Sequence, residues 1–437
     1  MMMQWRCHDV LTRAISMAGI VLLLASCIAA YSRPSSTTAD VTTISTPTRG
    51  RTAAPVDTGI ILPVATRLSS AMALDAIAMV TPRIGWAAGD GILATTDGGR
   101  TWRRQISATM VTQLDAVDAA HAWAVRQAGS GVGAQPFLLR TTDGGQHWRP
   151  AGEPLFAIGT GRASVHPLSS VRFLSPLRGV GVTGLPATVG SDPYQEGRLV
   201  ATVDGGETWR PVPTPDPVSS ACFDNPIDGW AAVAQAGAVL RTTDGGRSWR
   251  RVLPDGPRAL TYLSLGGVVA CPAPGNVWAL LYGDSGMMQQ VYALYHSTDG
   301  GGHWRAVAAH PDIGGVAATA PPGLSHPPEG PAARAGALDV VDTTTAYLSG
   351  NCPVCGTGGS GTVVLGATHD GGGAWRNGTA IPGLDGSIAA ALSFVTPVMG
   401  WLVVSKPARD GRDMDGRGMI LVTIDSGRTW QQQYLMS

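Results

Sequence analysis

Along most of the chain the apolar residues fall in short runs, without the spacing of an amphipathic helix. LDAIAMVTPRIGWAAG (Leu74–Gly89) shows the unit: an apolar run, a polar break containing proline, and a second apolar run. Six more units repeat it: LDAVDAAHAWAV (Leu114–Val125), VRFLSPLRGVGV (Val171–Val182), ACFDNPIDGWAAV (Ala221–Val233), VVACPAPGNVWALL (Val268–Leu281), LDVVDTTTAYLSG (Leu338–Gly350) and LSFVTPVMGWLVV (Leu392–Val404). Each reads as strand, turn, strand. A third run follows, such as GILATT or AVLRTT, and a fourth strand leaves after a tryptophan.

Between the third and fourth strands lies a recurring string. It reads ATTDGGRTW (Ala94–Trp102), RTTDGGQHW (Arg140–Trp148), ATVDGGETW (Ala201–Trp209), RTTDGGRSW (Arg241–Trp249), HSTDGGGHW (His296–Trp304), ATHDGGGAW (Ala367–Trp375) and VTIDSGRTW (Val422–Trp430). Every copy has Ser or Thr two before the acid, Gly two after it and Trp five after it. An acid, glycines, a hydroxyl and an indole suggest a catalytic loop, but seven copies are not one active site. The mechanical reading is better. Asp97, Asp143, Asp204, Asp244, Asp299, Asp370 and Asp425 accept N–H bonds from their own turns, the glycines supply positive φ, and the hydroxyls close a local bond. Trp102, Trp148, Trp209, Trp249, Trp304, Trp375 and Trp430 bury their indoles between sheets of the blade. Four antiparallel strands repeated seven times predict an all-β fold, a seven-bladed β-propeller. All four strands of the last blade precede Ser437, and residues around Ile60–Ala65 are candidates for an added strand there.

The strings resemble the Asp-box, or BNR repeat, Ser/Thr-x-Asp-x-Gly-x-Thr-Trp, in all seven blades. Thr101, Thr208 and Thr429 keep its threonine, whereas His147, Ser248, His303 and Ala374 depart from it. The larger unit IGWAAGDGILATTDGGRTWRR (Ile84–Arg104) resembles the blade of the photosystem II assembly and stability factor family and its bacterial relatives. That resemblance implies a non-catalytic lumenal or periplasmic propeller that binds membrane-protein subunits during assembly. Sialidases share the repeat, but their Arg-Ile-Pro signature is absent, since Arg83-Ile84 is followed by Gly85. Tyr194 and Glu196 lie close together, yet in a loop insertion. A glycosidase or glycan-binding propeller is the alternative expectation.

The N-terminus changes the picture of location. Arg6 and Arg13 precede an apolar run, Ala14–Ala25, too short for a comfortable membrane span. Leu24-Ala25-Ser26-Cys27 resembles the bacterial lipoprotein box, which implies a signal peptide at 1–26 and lipid on Cys27. Residues 27–57, rich in Ser, Thr and Pro, read as an extended tether, leaving the propeller at 58–437. The expectation is an extracytoplasmic, membrane-anchored monomer whose partner is an envelope or membrane protein. Zero formal net charge leaves no global electrostatic footprint for nucleic acid. Lys406 is the only lysine, and the glutamates are Glu153, Glu196, Glu207 and Glu329, so a glutamate mechanism has few candidates.

Strand order places the Asp turns on one rim and the insertions on the other. Loops at Gln127–Gln135, Gly184–Glu196, Gly283–Gln290, Gly350–Gly361 and Ser405–Gly418 and the link Ala306–Arg334 lie on that second rim, where recognition is expected. Arginine follows the turn's tryptophan in six copies, and charge on an exposed edge strand discourages edge pairing. Cys352 and Cys355, in NCPVCG, are candidates for a local disulfide, whereas Cys222 and Cys271 are either buried thiols or a second bridge. Asp410, Asp413 and Asp415 are weak candidates for a hard cation, because the spacing misses the EF-hand pattern and lacks a distal Glu. No catalytic residue, metal or cofactor is expected, since the chain carries no P-loop, GxSxG or dinucleotide fingerprint.

Overall fold

The described residues of the structure, a computed structural model, are 66–68, 72–107, 110–127, 137–152, 155–157, 163–165, 168–184, 197–234, 236–253, 265–286, 289–310, 312–313, 316–317, 330, 332–353, 355, 361–406 and 417–436. All belong to the unit Thr46–Ser437. The signal at 1–26, Cys27, the tether at 27–57, Asp410, Asp413, Asp415, Tyr194 and Glu196 lie outside the described residues.

Seven sheets, each running in antiparallel chain order from inner to outer strand, form the seven blades. Their inner strands are Leu74–Met79, Met110–Ala116, Leu168–Phe173, Val218–Phe223, Gly267–Ala273, Arg334–Val340 and Ile388–Phe394. Each touches the next and the last touches the first, which closes the ring. The seventh blade has a fifth strand, Thr66–Leu68, which pairs in parallel with Gln431–Met436. This joins the two ends of the propeller segment by backbone hydrogen bonds. The added strand lies just after the expected Ile60–Ala65, which is outside the described residues.

The core consists of seven apolar clusters at the joints between consecutive blades. Aromatic residues near the start of the second strands occupy these joints. Trp86, Trp123, Trp230, Trp278 and Trp401 are at most 1% exposed, and Tyr347 takes the same place in blade 6. Each packs toward the following blade. Trp123 stacks on Phe173 with ring centres 3.6 Å apart, and Tyr347 on Phe394 at 3.5 Å. The turn tryptophans approach from the other side. Trp209 packs with Trp123, Val125 and Leu138 of blade 2, and Trp102 with Trp401 and Val403 of blade 7. The indoles therefore sit between neighbouring blades, a correction to the expected site between sheets of one blade. A sheet has two faces, and only the next blade can cover each of them.

Candidate functional site

The seven turns are built alike, so their local chemistry can be read once. In blade 3 the Thr202 hydroxyl donates to Asp204 Oδ1 at 2.8 Å and accepts from the Gly206 N–H at 2.9 Å. Asp204 also accepts from the Thr208 N–H at 2.9 Å and the Thr208 hydroxyl at 2.5 Å. Gly205 and Gly206 have φ of 76° and 93°, a region that favours glycine. In blade 7 Ser426 holds the first glycine's place at φ 64°, its hydroxyl donating to Pro397 O at 2.8 Å. The non-threonine copies keep most of the circuit. His147 Nδ1 lies 2.7 Å from Asp143 Oδ2 and His303 Nδ1 lies 2.6 Å from Asp299 Oδ2, while Ser248 donates to Asp244 at 2.5 Å. Ala374 keeps only the backbone bond, 3.0 Å from its N–H to Asp370.

These bonds hold all seven carboxyls in the ionised form. For Asp204, burial alone would raise the pKa, but donation from the Thr208 hydroxyl and N–H brings it down to about 2. Donation from the Ser248 hydroxyl and N–H lowers Asp244 to about 2, and the N–H and ring of His147 lower Asp143 to about 2. A carboxylate accepting this many bonds is a poor general acid or base at neutral pH.

Side chains of the preceding blade then grip the turn. The carbonyl of the residue after the Asp accepts from Gln433 at Gly98, from Gln105 at Gly144, and from Trp123 and Arg140 at Gly205. At Gly300 it accepts from Trp230, and at Gly371 from His296 Nδ1 and Arg305. At Ser426 it accepts from Arg376. Two of the six arginines that follow the turn tryptophans, Arg305 and Arg376, are thus joint residues, a correction to their expected role as edge charge. The partners lie 39 to 82 residues away, or at opposite ends of the chain for Gln433 and Gly98, beyond the reach of motif reading.

Inner strands carry a second set of joints. Asp115 accepts from the Phe173 N–H, Asp339 from the Phe394 N–H and Ser393 from the Met79 N–H. Cys222 sits opposite Trp230 in its sheet as Asp115 does opposite Trp123, and it bridges to Cys271 with a Cα separation of 6.0 Å.

A cavity of about 410 Å³ runs along the inner strands of blades 2 to 5, from Arg126 and Gly184, toward the opposite rim, to Arg172 and Val180, which pair close to the 174–178 turn. Thr112, Gln113, Ser169, Ser170, Ser219 and Ser220 contribute polar groups, Val125, Val171, Val182 and Val269 the apolar wall, and Arg126 and Arg172 two cations. Gln113 fixes the wall, donating to Val171 O at 2.9 Å and accepting from its N–H at 2.7 Å. Ser219 does likewise with Gly267, at 2.8 and 2.9 Å. Cys222 and Cys271 lie just beyond Ala221 and Val269 of the lining. Among the described residues of the lining none is Asp or Glu. On the same rim Asp75, outside the lining, has its pKa raised by burial and by the charge of Asp90. Of the rim loops, 128–136, 185–196, 407–416 and most of 311–333 lie outside the described residues. Among the described residues no group of three His, Cys, Asp or Glu is placed to hold a metal.

No protein-family profile matches the chain, and no curated protein matches it. Solved structures do. YCF48 bound to D1 peptide is 15% identical with a TM-score of 0.48, covering 84% of this chain and 96% of that one. YCF48 from Cyanidioschyzon merolae is 15% identical with a TM-score of 0.48, covering 82% and 97%. The GH74 xyloglucanase from Xanthomonas campestris is 14% identical with a TM-score of 0.29, covering 80% of this chain and 53% of the enzyme. At these identities the similarity concerns the fold alone.

Proposed function

We propose that this protein is a lipid-anchored, extracytoplasmic binding or assembly module for an envelope or membrane protein complex, and that the partner is held on the rim opposite the Asp turns. The observation that carries the reading is the cavity, which combines Arg126 and Arg172 with serine and threonine hydroxyls and apolar walls. Such a surface suits an extended protein segment bearing an acidic group, because hydroxyls and backbone match a peptide and guanidinium pairs with carboxylate. The blade unit's resemblance to the photosystem II assembly and stability factor family supports the same class of role. Cys27 and the tether at 27–57 would place the propeller within reach of a membrane-embedded partner.

A carbohydrate-active propeller is the second reading, and one observation favours it. Asp75, its carboxyl held toward the protonated form beside Asp90, is a candidate acid on the correct rim. The test pairs capture of partners from native membranes with a polysaccharide turnover screen, each on the wild type and on the R126A/R172A variant. The binding reading expects one partner to be retained by the wild type and lost from the variant, without turnover. Turnover that disappears in D75N would establish the carbohydrate reading instead.

A further inference from the structure

The two disulfides occupy different settings. Cys222–Cys271 joins the inner strands of blades 4 and 5 across 49 residues of sequence, and Cys222 is 3% exposed. It takes the register at which Asp115 and Asp339 hold other joints, so it serves the fold. Cys352–Cys355 spans three positions within a single blade, and Cys355 is exposed. Cys352 is already held as the last residue of the strand Ala346–Cys352, paired with Thr362, and the adjacent Asn351 pairs with Val363. The Cys355 N–H also donates to Cys352 O at 3.3 Å, closing the turn without the bridge. A bridge that adds little restraint and ends on an exposed residue is suited to chemistry, since exchange depends on access and on the attacking thiolate.

We propose that Cys352–Cys355 is a thiol–disulfide exchange site that accepts two electrons from a dithiol of a protein or peptide substrate. The substrate's first thiolate attacks Cys355 Sγ, the Sγ–Sγ bond breaks, and the electron pair leaves on Cys352 Sγ. The substrate's second thiolate then attacks its own sulfur in the mixed disulfide and expels Cys355 as thiolate. The substrate leaves oxidised, and the two protons lost by its thiols end on Cys352 and Cys355. Nothing in this step depends on the cavity or on the identity of the partner held there.

The test uses the oxidised mature chain and two probes, reduced glutathione and a reduced peptide with two cysteines. Glutathione should open Cys352–Cys355 at least about tenfold faster than Cys222–Cys271, the internal control, as read by mass spectrometry after alkylation. The wild type should oxidise one equivalent of the peptide, whereas C352S/C355S oxidises none and melts within a few degrees of the wild type. In C352S, oxidised glutathione should cap Cys355. Equal opening of the two bridges, or peptide oxidation unchanged in the double variant, would overturn the proposal. Loss of folding in that variant would overturn it too, by making the bridge a brace.

Discussion

The two rims of the propeller are made from the same blades but use their polar atoms differently. On the turn rim the carboxylate of Asp204 is engaged by Thr202 and Thr208, and the carbonyl beside it by Trp123 and Arg140 of the blade before. Toward the opposite rim Gln113 and Ser219 fix the walls of the cavity and Arg126 adds charge, while Arg172 adds it deeper along the inner strand. The difference teaches where to look in a repeat fold. A motif present in every blade serves what every blade needs, and a site that acts once is built from what differs between blades.

The comparison breaks most readily at the joints beneath the turns. W230A removes an indole that is fully buried and donates to Gly300 O at 3.2 Å, so unfolding in denaturant should be easier by about 3–5 kcal/mol. A loss below about 1 kcal/mol would mean that the joint repacks and that the tryptophan is not its centre. T202V is the next step down. It leaves the buried Gly206 N–H without its acceptor and takes a bond from Asp204, for about 1–3 kcal/mol, with partner binding unchanged.

Acid should separate the rims as well. The turn carboxyls have lower pKa values in the folded protein than their ordinary 3.8, so their stabilising effect is complete above about pH 4. It fades as the pH falls toward about 2, where Asp143, Asp204 and Asp244 take up protons. A thermal midpoint that falls through this window is expected, and a midpoint indifferent to pH between 4 and 2 would contradict the hydrogen-bond account. Asp75 has the opposite sign. Its raised pKa means that it opposes folding once ionised, so D75N should hold its midpoint or gain slightly near neutral pH. R126A/R172A trims two half-buried side chains, so a loss of about 1 kcal/mol is expected, while its effect on partner binding is the largest of the set.

The strand order, the blade count and the turns are legible in the sequence because they arise within some 40 residues and recur. The pairing of Gly-Trp with the next blade is only half visible. Trp86, Trp123, Trp230, Trp278 and Trp401 stand out as a periodic aromatic, yet nothing local says that Trp123 and Trp230 donate to turns 82 and 70 residues on. Arg305 and Arg376 read as edge charge for the same reason, since their acceptors, Gly371 and Ser426, belong to another repeat. The cavity is invisible in sequence. Its lining is assembled from four blades, and serines 169, 170, 219 and 220 carry no motif.

The most direct test of the division between rims is site-specific photo-crosslinking in native membranes. A photoreactive residue replaces the exposed Thr112 at the cavity in one variant and the exposed Thr243 of a turn in another. The division predicts a discrete protein adduct from position 112, abolished by R126A/R172A, and none from position 243. The same adduct from position 243, or an adduct at 112 that survives loss of both arginines, would contradict it.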